Sequence, residues 1–197
     1  MRIEPLAPPV TPEDFEDLVG VLTECVAGGA SIGFLAPLAR DEAETFWRKV
    51  LGEIAGGHRA VLVAREPAGR IVGTAQAVFE TKANGRHRAE VQKVLVRPAH
   101  RRRGIAARLM GEIEALAAGR GVWLLHLDTS DSQAGARPFY EALHYAYAGG
   151  IPFYATDTRG RPEANAIFYK TLAPPAKAVL ELPAGATRAS RPHELMP

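Results

Sequence analysis

The stretch from Glu90 to Met110 limits what this 197-residue chain can fold into more than any other segment. Arg88 to Val96 alternates as a strand does, with Glu90, Gln92, Val94 and Val96 on one face and Val91, Lys93 and Leu95 on the other. Gly104 to Ala118 repeats apolar residues at helical spacing, placing Ile105, Leu109, Ile113 and Leu116 inward, and Gly119 to Gly121 ends the run. Between them lies Arg101-Arg102-Arg103-Gly104-Ile105-Ala106. A helix start leaves backbone N–H groups without partners and carries the positive end of the helix dipole, so a junction of this kind attracts phosphate. Gly104 and Ala106 keep side chains out of the way of a diphosphate, and Arg101, Arg102 and Arg103 add charge-assisted contacts. Three arginines in a row would otherwise read as a solvated face or a nucleic-acid patch. Their place at a strand-to-helix junction favours phosphate, and the arrangement suits coenzyme A.

The rest of the chain supplies a frame for this junction. Thr11 before Pro12, Glu13 and Asp14 marks a helix start, and Phe15, Leu18, Val19, Leu22 and Val26 share one face of the helix that follows. Arg40 to Ala55 repeats the pattern with Ala43, Phe46, Val50, Leu51 and Ile54 inward. Arg59 to Ala64 and Arg70 to Phe79 read as a hairpin across Pro67-Ala68-Gly69. Val122 to Leu127 is a short apolar strand, Gln133 to Leu143 a helix, and Tyr145 to Tyr154 with Asn165 to Thr171 a last strand pair. This order predicts an α/β (α+β) domain over residues 1–172, with a mixed sheet that is antiparallel early and parallel where the helix at Gly104 crosses over. Residues 173–197 form an Ala/Pro-rich C-terminal extension.

Charge and cysteine content exclude several classes. With 24 Lys+Arg against 22 Asp+Glu the net charge is +2, which gives no general reason to expect nucleic acid or a membrane surface as partner. The single Cys25 forms no internal disulfide, and no zinc-like ligand spacing surrounds it, so no metal is expected. No run approaches a membrane span and the first residues lack a signal-peptide core; the expected location is the cytoplasm. A homodimer is compatible with this composition.

The chain resembles the GCN5-related N-acetyltransferase (GNAT) superfamily, whose signature Q/R-x-x-G-x-G/A is matched by Arg101, Gly104 and Ala106. Val94-Leu95-Val96-Arg97-Pro98 is similar to that family's fourth strand, and Ala136 to Tyr140 with Leu143 and Tyr145 is similar to its A-x-x-x-Y-x-x-L-G-F segment. The match spans residues 58–155. Two positions depart from it: Gln133 stands where asparagine is common, leaving one cofactor-side hydrogen bond in doubt, and His144 replaces a glycine, suggesting a different turn into the next strand. Gly28 to Leu35, Phe46-Trp47 and His87 to Val91 are also similar to the tabtoxin-resistance branch, which acetylates a small amine-bearing β-lactam toxin. The resemblance implies a mostly antiparallel mixed sheet of about seven strands flanked by helices and splayed between the fourth and fifth. It further implies acetyl-CoA as co-substrate, with Val94, Leu95, Val96 and Ile105 beside the phosphate-binding residues and Gln133 in contact with it.

The resemblance implies catalytic roles as well. Tyr140 corresponds to the tyrosine that donates a proton to the departing thiolate; a free phenol near ~10 facing a thiol near ~8.5 makes this uphill by about 2 kcal/mol. Read from the helix pattern alone, Tyr140 is equally a core residue. Glu90 and Asp128 are placed to relay the proton of the acceptor amine, the alternatives being an edge-strand charge and a helix N-cap. Direct transfer from a free ammonium at ~10.4 to an ordinary glutamate at ~4.3 is uphill by about 8 kcal/mol, so the pair acts through tuned groups or water. Ser31, Phe34 and Phe153 are the expected acceptor-pocket residues. Trp47, His126 and Cys25 read as packing residues. The expected function is acetyl transfer to a small-molecule amine in a ternary complex. A protein N-terminus or lysine as acceptor, and a non-catalytic acyl-CoA sensor, are the alternatives.

Overall fold

A computed structural model describes residues 1–131 and 136–172. In chain order its elements are β1 (Arg2–Pro5), α1 (Pro12–Ala27), α2 (Arg40–Ala55), β2 (Arg59–Arg65), β3 (Ile71–Phe79) and β4 (Arg88–Val96). A 3-10 turn (Pro98–His100), α3 (Ile105–Gly119), β5 (Leu124–Ser130), α4 (Arg137–Ala142), β6 (Ala146–Gly149), β7 (Ala155–Thr156), β8 (Pro162–Glu163) and β9 (Asn165–Thr171) follow. Seven strands make one sheet in the order β1-β2-β3-β4-β5-β9-β6, while β7 and β8 form a small separate hairpin. Among the described residues only β4 and β5 run parallel, joined by the α3 crossover. No helix among the described residues is long and apolar enough to cross a membrane.

Strand alternation sorts the core into two layers. Val61 and Val63 of β2 turn to one face, where α1 and α2 bring Leu18, Leu22, Trp47 and Val50. Leu62 and Ala64 turn to the other, where α3 brings Leu109, Met110 and Ile113. The α1 start forms as its sequence dictates: Pro12 opens it and Asp14 N–H donates to Thr11 Oγ1 at 3.2 Å. Arg97, just past β4, fastens α1 to the sheet. Its Nε donates to the Ile71 carbonyl at 3.1 Å, and its guanidinium also binds the Asp17 carboxylate at 3.1 Å and Glu24.

Four local features depart from the sequence-based expectation. β1 is an addition, because a four-residue edge strand closed by Pro5 carries too little pattern to show in sequence; it registers on β2 from Arg2↔Arg65 to Pro5↔Leu62. β5 begins and ends later than expected, so Asp128 lies within the strand instead of at its end. The late strand is short, β6 pairing with β9 before β7–β8 turns outward as its own hairpin. Fourth, β4 does not alternate throughout. Thr74↔Leu95 is followed by Gln76↔Gln92, so β4 holds one more residue than β3 across this step, and Lys93 takes a φ of 49°. Val91 and Val96 accordingly both reach the α3 layer while Leu95 reaches the other. Val94 therefore does not share the face of Glu90 and Gln92.

The sheet opens next to this bulge. β4 and β5 pair only through Arg88↔Leu124, Ala89↔Leu125 and Glu90↔His126. From Val91 onward β4 has no partner on that edge among the described residues, whereas β5 stays paired with β9 through Ser130.

Candidate active site

The wedge between the two strands holds a cleft of about 1010 Å³. At its mouth Arg102 and Gly104 take φ of 60° and 74°, turning the chain sharply into α3. Among the described residues no side chain caps that helix, and its first internal bond runs from Arg108 N–H to the Gly104 carbonyl, leaving the N–H groups of Ile105, Ala106 and Ala107 without intrahelical acceptors. A Cβ at Gly104 would meet nothing within 4 Å, so glycine serves the backbone angle here. Arg101, Arg102, Gly104, Ile105 and Ala106 border the cleft, as do Val94, Leu95 and Val96. Arg103 is turned aside, its guanidinium bonded to the Ala99 carbonyl at 3.1 Å. Arg101 Nε donates to the Val96 carbonyl at 3.2 Å, which also accepts the Cys25 thiol at 3.4 Å. Burial pushes that thiol's pKa up, in keeping with a packing role. Gln133 lies outside the described residues.

The two faces of the sheet separate the titratable groups. Leu125 and Leu127 enter the α3 layer, so His126 and Asp128, which alternate with them, face the α1/α2 side. Glu90, between the buried Ala89 and Val91, faces the same way and sits opposite His126. Tyr140 belongs to the α3 layer, 8% exposed and packed on Phe139, Tyr145 and Phe168. All three residues, Glu90, Asp128 and Tyr140, border the cleft. Burial, reinforced by the Asp128 charge, pushes the Tyr140 phenol up to about 12. Full transfer to a thiolate near ~8.5 then costs about 5 kcal/mol, more than a free phenol would need. His144 follows α4 with a φ of 63°, a conformation glycine adopts freely, so histidine there does not require a different turn.

The acceptor-side residues fare unequally. Ser31 lines the cleft and donates its hydroxyl to the Thr156 carbonyl at 3.3 Å, and Ala36 N–H bonds the Thr158 carbonyl at 2.8 Å. The loop between α1 and α2 is thus stitched to the β7–β8 hairpin across the cleft. Phe34 packs edge-on against Phe46 at 5.5 Å. Phe153 is 82% exposed, with a φ of 57° that turns it outward, and Tyr154 borders the cleft instead.

Residues 27–145 match the model of the acetyltransferase (GNAT) family. The chain belongs to the GNAT acetyltransferases. A relative from Azospirillum brasilense, described as an uncharacterized N-acetyltransferase in the hisH-hisA intergenic region, is 33% identical over 122 residues, 61% of this chain and 70% of that one. The fold matches the ribosomal-protein-alanine N-acetyltransferase of Brucella melitensis at a TM-score of 0.71 and 21% identity, covering 87% of this chain and all of that one. It also matches an aminoglycoside 6′-N-acetyltransferase complexed with coenzyme A, at a TM-score of 0.68 and 19% identity over 89% of this chain and 99% of that one.

Within this GNAT cleft one residue escaped the sequence reading. The bulge turns Lys93 to the acceptor side, its Nζ 6.0 Å from the Phe34 ring centroid and 5.7 Å from that of Phe46. Burial lowers its pKa, as does Arg59, while Glu90 and Asp128 oppose the shift. A lone lysine in a strand carries no signal of this kind, because the bulge depends on pairing with β3.

Proposed function

We propose that this acetyltransferase uses acetyl-CoA to acetylate an amine of a small molecule, by direct attack in a ternary complex. The observation that carries the reading is the stitched roof: Ser31 to Thr156 and Ala36 to Thr158 close the acceptor side, where a protein segment would need an open groove. The uncapped first turn of α3, with Arg101 and Arg102 beside it, fits a diphosphate. The free edge of β4 at Val94 to Val96 fits the amide-bearing arm that follows, and main-chain N–H groups there are suited to steady the thioester oxygen as it gains charge.

Chemistry divides between the two faces. Tyr140, on the α3 side and held neutral by its surroundings, donates a hydrogen bond to the departing sulfur. Glu90 and Asp128, on the opposite side, orient the amine and pass its proton on through water. Glu90 also borders a second, open hollow of about 700 Å³ with Glu53, His58 and His126, which gives that proton a route to solvent. Thiol release from acetyl-CoA, followed across a panel of small amines that includes β-lactam amino acids and across peptides, tests the reading. Release with small amines and none with peptides is expected, and Glu90→Gln with Asp128→Asn removes most of it. Binding of acetyl-CoA without release on any amine would sink the proposal in favour of a sensor.

A further inference from the structure

Lys93 reaches the acceptor side only because β4 bulges; with regular alternation it would point into the α3 layer. Its ammonium lies beside two phenyl rings, and among the described residues no carboxylate pairs directly with it. The other charged groups nearby are already engaged. Arg59 donates to Glu53, Gln76 and Gln92. Across the cleft Asp157 binds Arg161, and Glu163 accepts from Ser130. Among the described residues one cation, Lys93, remains on the acceptor side, with Glu90 and Asp128 acting on it electrostatically. Two carboxylates and one ammonium leave a single negative charge, which the ammonium of a bare amine balances, but such an acceptor leaves Lys93 without a direct partner in this half-buried space. A molecule that also carries an anion places its amine on the carboxylates and its anion on the lysine.

We infer that the acceptor is an amino acid or a close relative, a small amine that also carries a carboxylate, and that Lys93 binds that carboxylate; this rests on the small-amine reading above. A monoanion matches a single ammonium flanked by rings, whereas a phosphate dianion calls for several donors. Lys93 is a specificity residue, distinct from the groups that handle protons.

The test compares kcat/KM for the standard amino acids, β-alanine and 4-aminobutyrate with kcat/KM for the carboxamide of each, and phosphoethanolamine with ethanolamine. The wild-type enzyme is expected to prefer the best acid over its amide by at least about tenfold, the equivalent of one strong charge-assisted contact. Lys93→Gln is expected to shrink that preference about tenfold through the KM of the acid, and Lys93→Arg to restore part of it. Amides used as well as acids, a preference unchanged in Lys93→Gln, or a preference for phosphoethanolamine over ethanolamine and the acids would overturn the inference. The wild-type ratio decides the acceptor class even where the glutamine variant fails to fold; Lys93→Met then carries the test of Lys93, a reduced preference supporting its role and an unchanged one overturning it. Bound acetyl-CoA with no acetylation of any acid, amide or ethanolamine would instead sink the small-amine reading itself.

Discussion

Thr74 donates its hydroxyl to the carbonyl of Lys93 at 3.1 Å, so a fully buried side chain of β3 holds the bulge of β4. Thr74→Val keeps the shape and removes the donor. Losing this part-buried hydrogen bond costs about 0.5–1.5 kcal/mol, so the melting temperature should drop. Turnover should fall as well, while Thr74→Ser retains both. Denaturant unfolding and steady-state kinetics on the pair of variants check this.

Gly104 holds its left-handed angle in open space, so Gly104→Ala should cost through conformation alone, roughly 1–2 kcal/mol. Because the angle aims the first turn of α3 at the cleft, the KM for acetyl-CoA should rise more than kcat falls. Gly104→Asn, better suited to the left-handed region, should be milder. Calorimetric titration with coenzyme A reads the difference.

Tyr140→Phe should lower kcat and leave acetyl-CoA binding near that of the wild type. With its phenol pushed up to about 12, Tyr140 stays protonated through pH 10, so the kcat profile should show no alkaline limb from this residue below that pH. Stability carries the same signature. The unfolded tyrosine ionises near ~10 and the folded one near 12, so its contribution is intact below pH 10 and is lost between the two, to about 3 kcal/mol at most. Unfolding followed from pH 8 to 12 should be less steeply pH-dependent in Tyr140→Phe than in the wild type.

Gly20 lies inside α1, where alanine usually stabilises by up to about 1 kcal/mol. Here the sign should reverse. A Cβ at this position would stand 2.9 Å from Arg97 Nη2, and that guanidinium is pinned to Ile71, Asp17 and Glu24. Gly20→Ala should therefore destabilise, and Arg97→Met should cost about 1–3 kcal/mol by taking the donor from the buried Ile71 carbonyl. Thermal denaturation of the two variants, and of the double variant to reveal their coupling, checks the claim.

Much of this architecture was legible from local pattern. The strand at Arg88 to Val96, the capped start at Thr11 and the glycine turn before Ile105 each rest on residues close in sequence, and each lies where the spacing placed it. What escaped depends on distant partners. β1 exists because β2 accepts it some sixty residues later, as Arg2↔Arg65. The bulge follows from how β4 registers on β3, and Phe153 faces outward because of a backbone angle that composition does not encode. The residues bordering the cleft through backbone geometry were accessible to motif reading, whereas Lys93, which reaches it through an irregularity, was not.

The left-handed backbone at Lys93 also sets selection for durability against selection for discrimination. A non-glycine residue in that conformation forgoes about 1–2 kcal/mol relative to glycine, and a mutational screen that rewarded heat resistance alone would draw toward Lys93→Gly or Lys93→Asn. Such variants would gain or hold stability while losing the ammonium that the bulge exists to present. Variants recovered from a heat screen and from a selectivity screen should then diverge first at position 93.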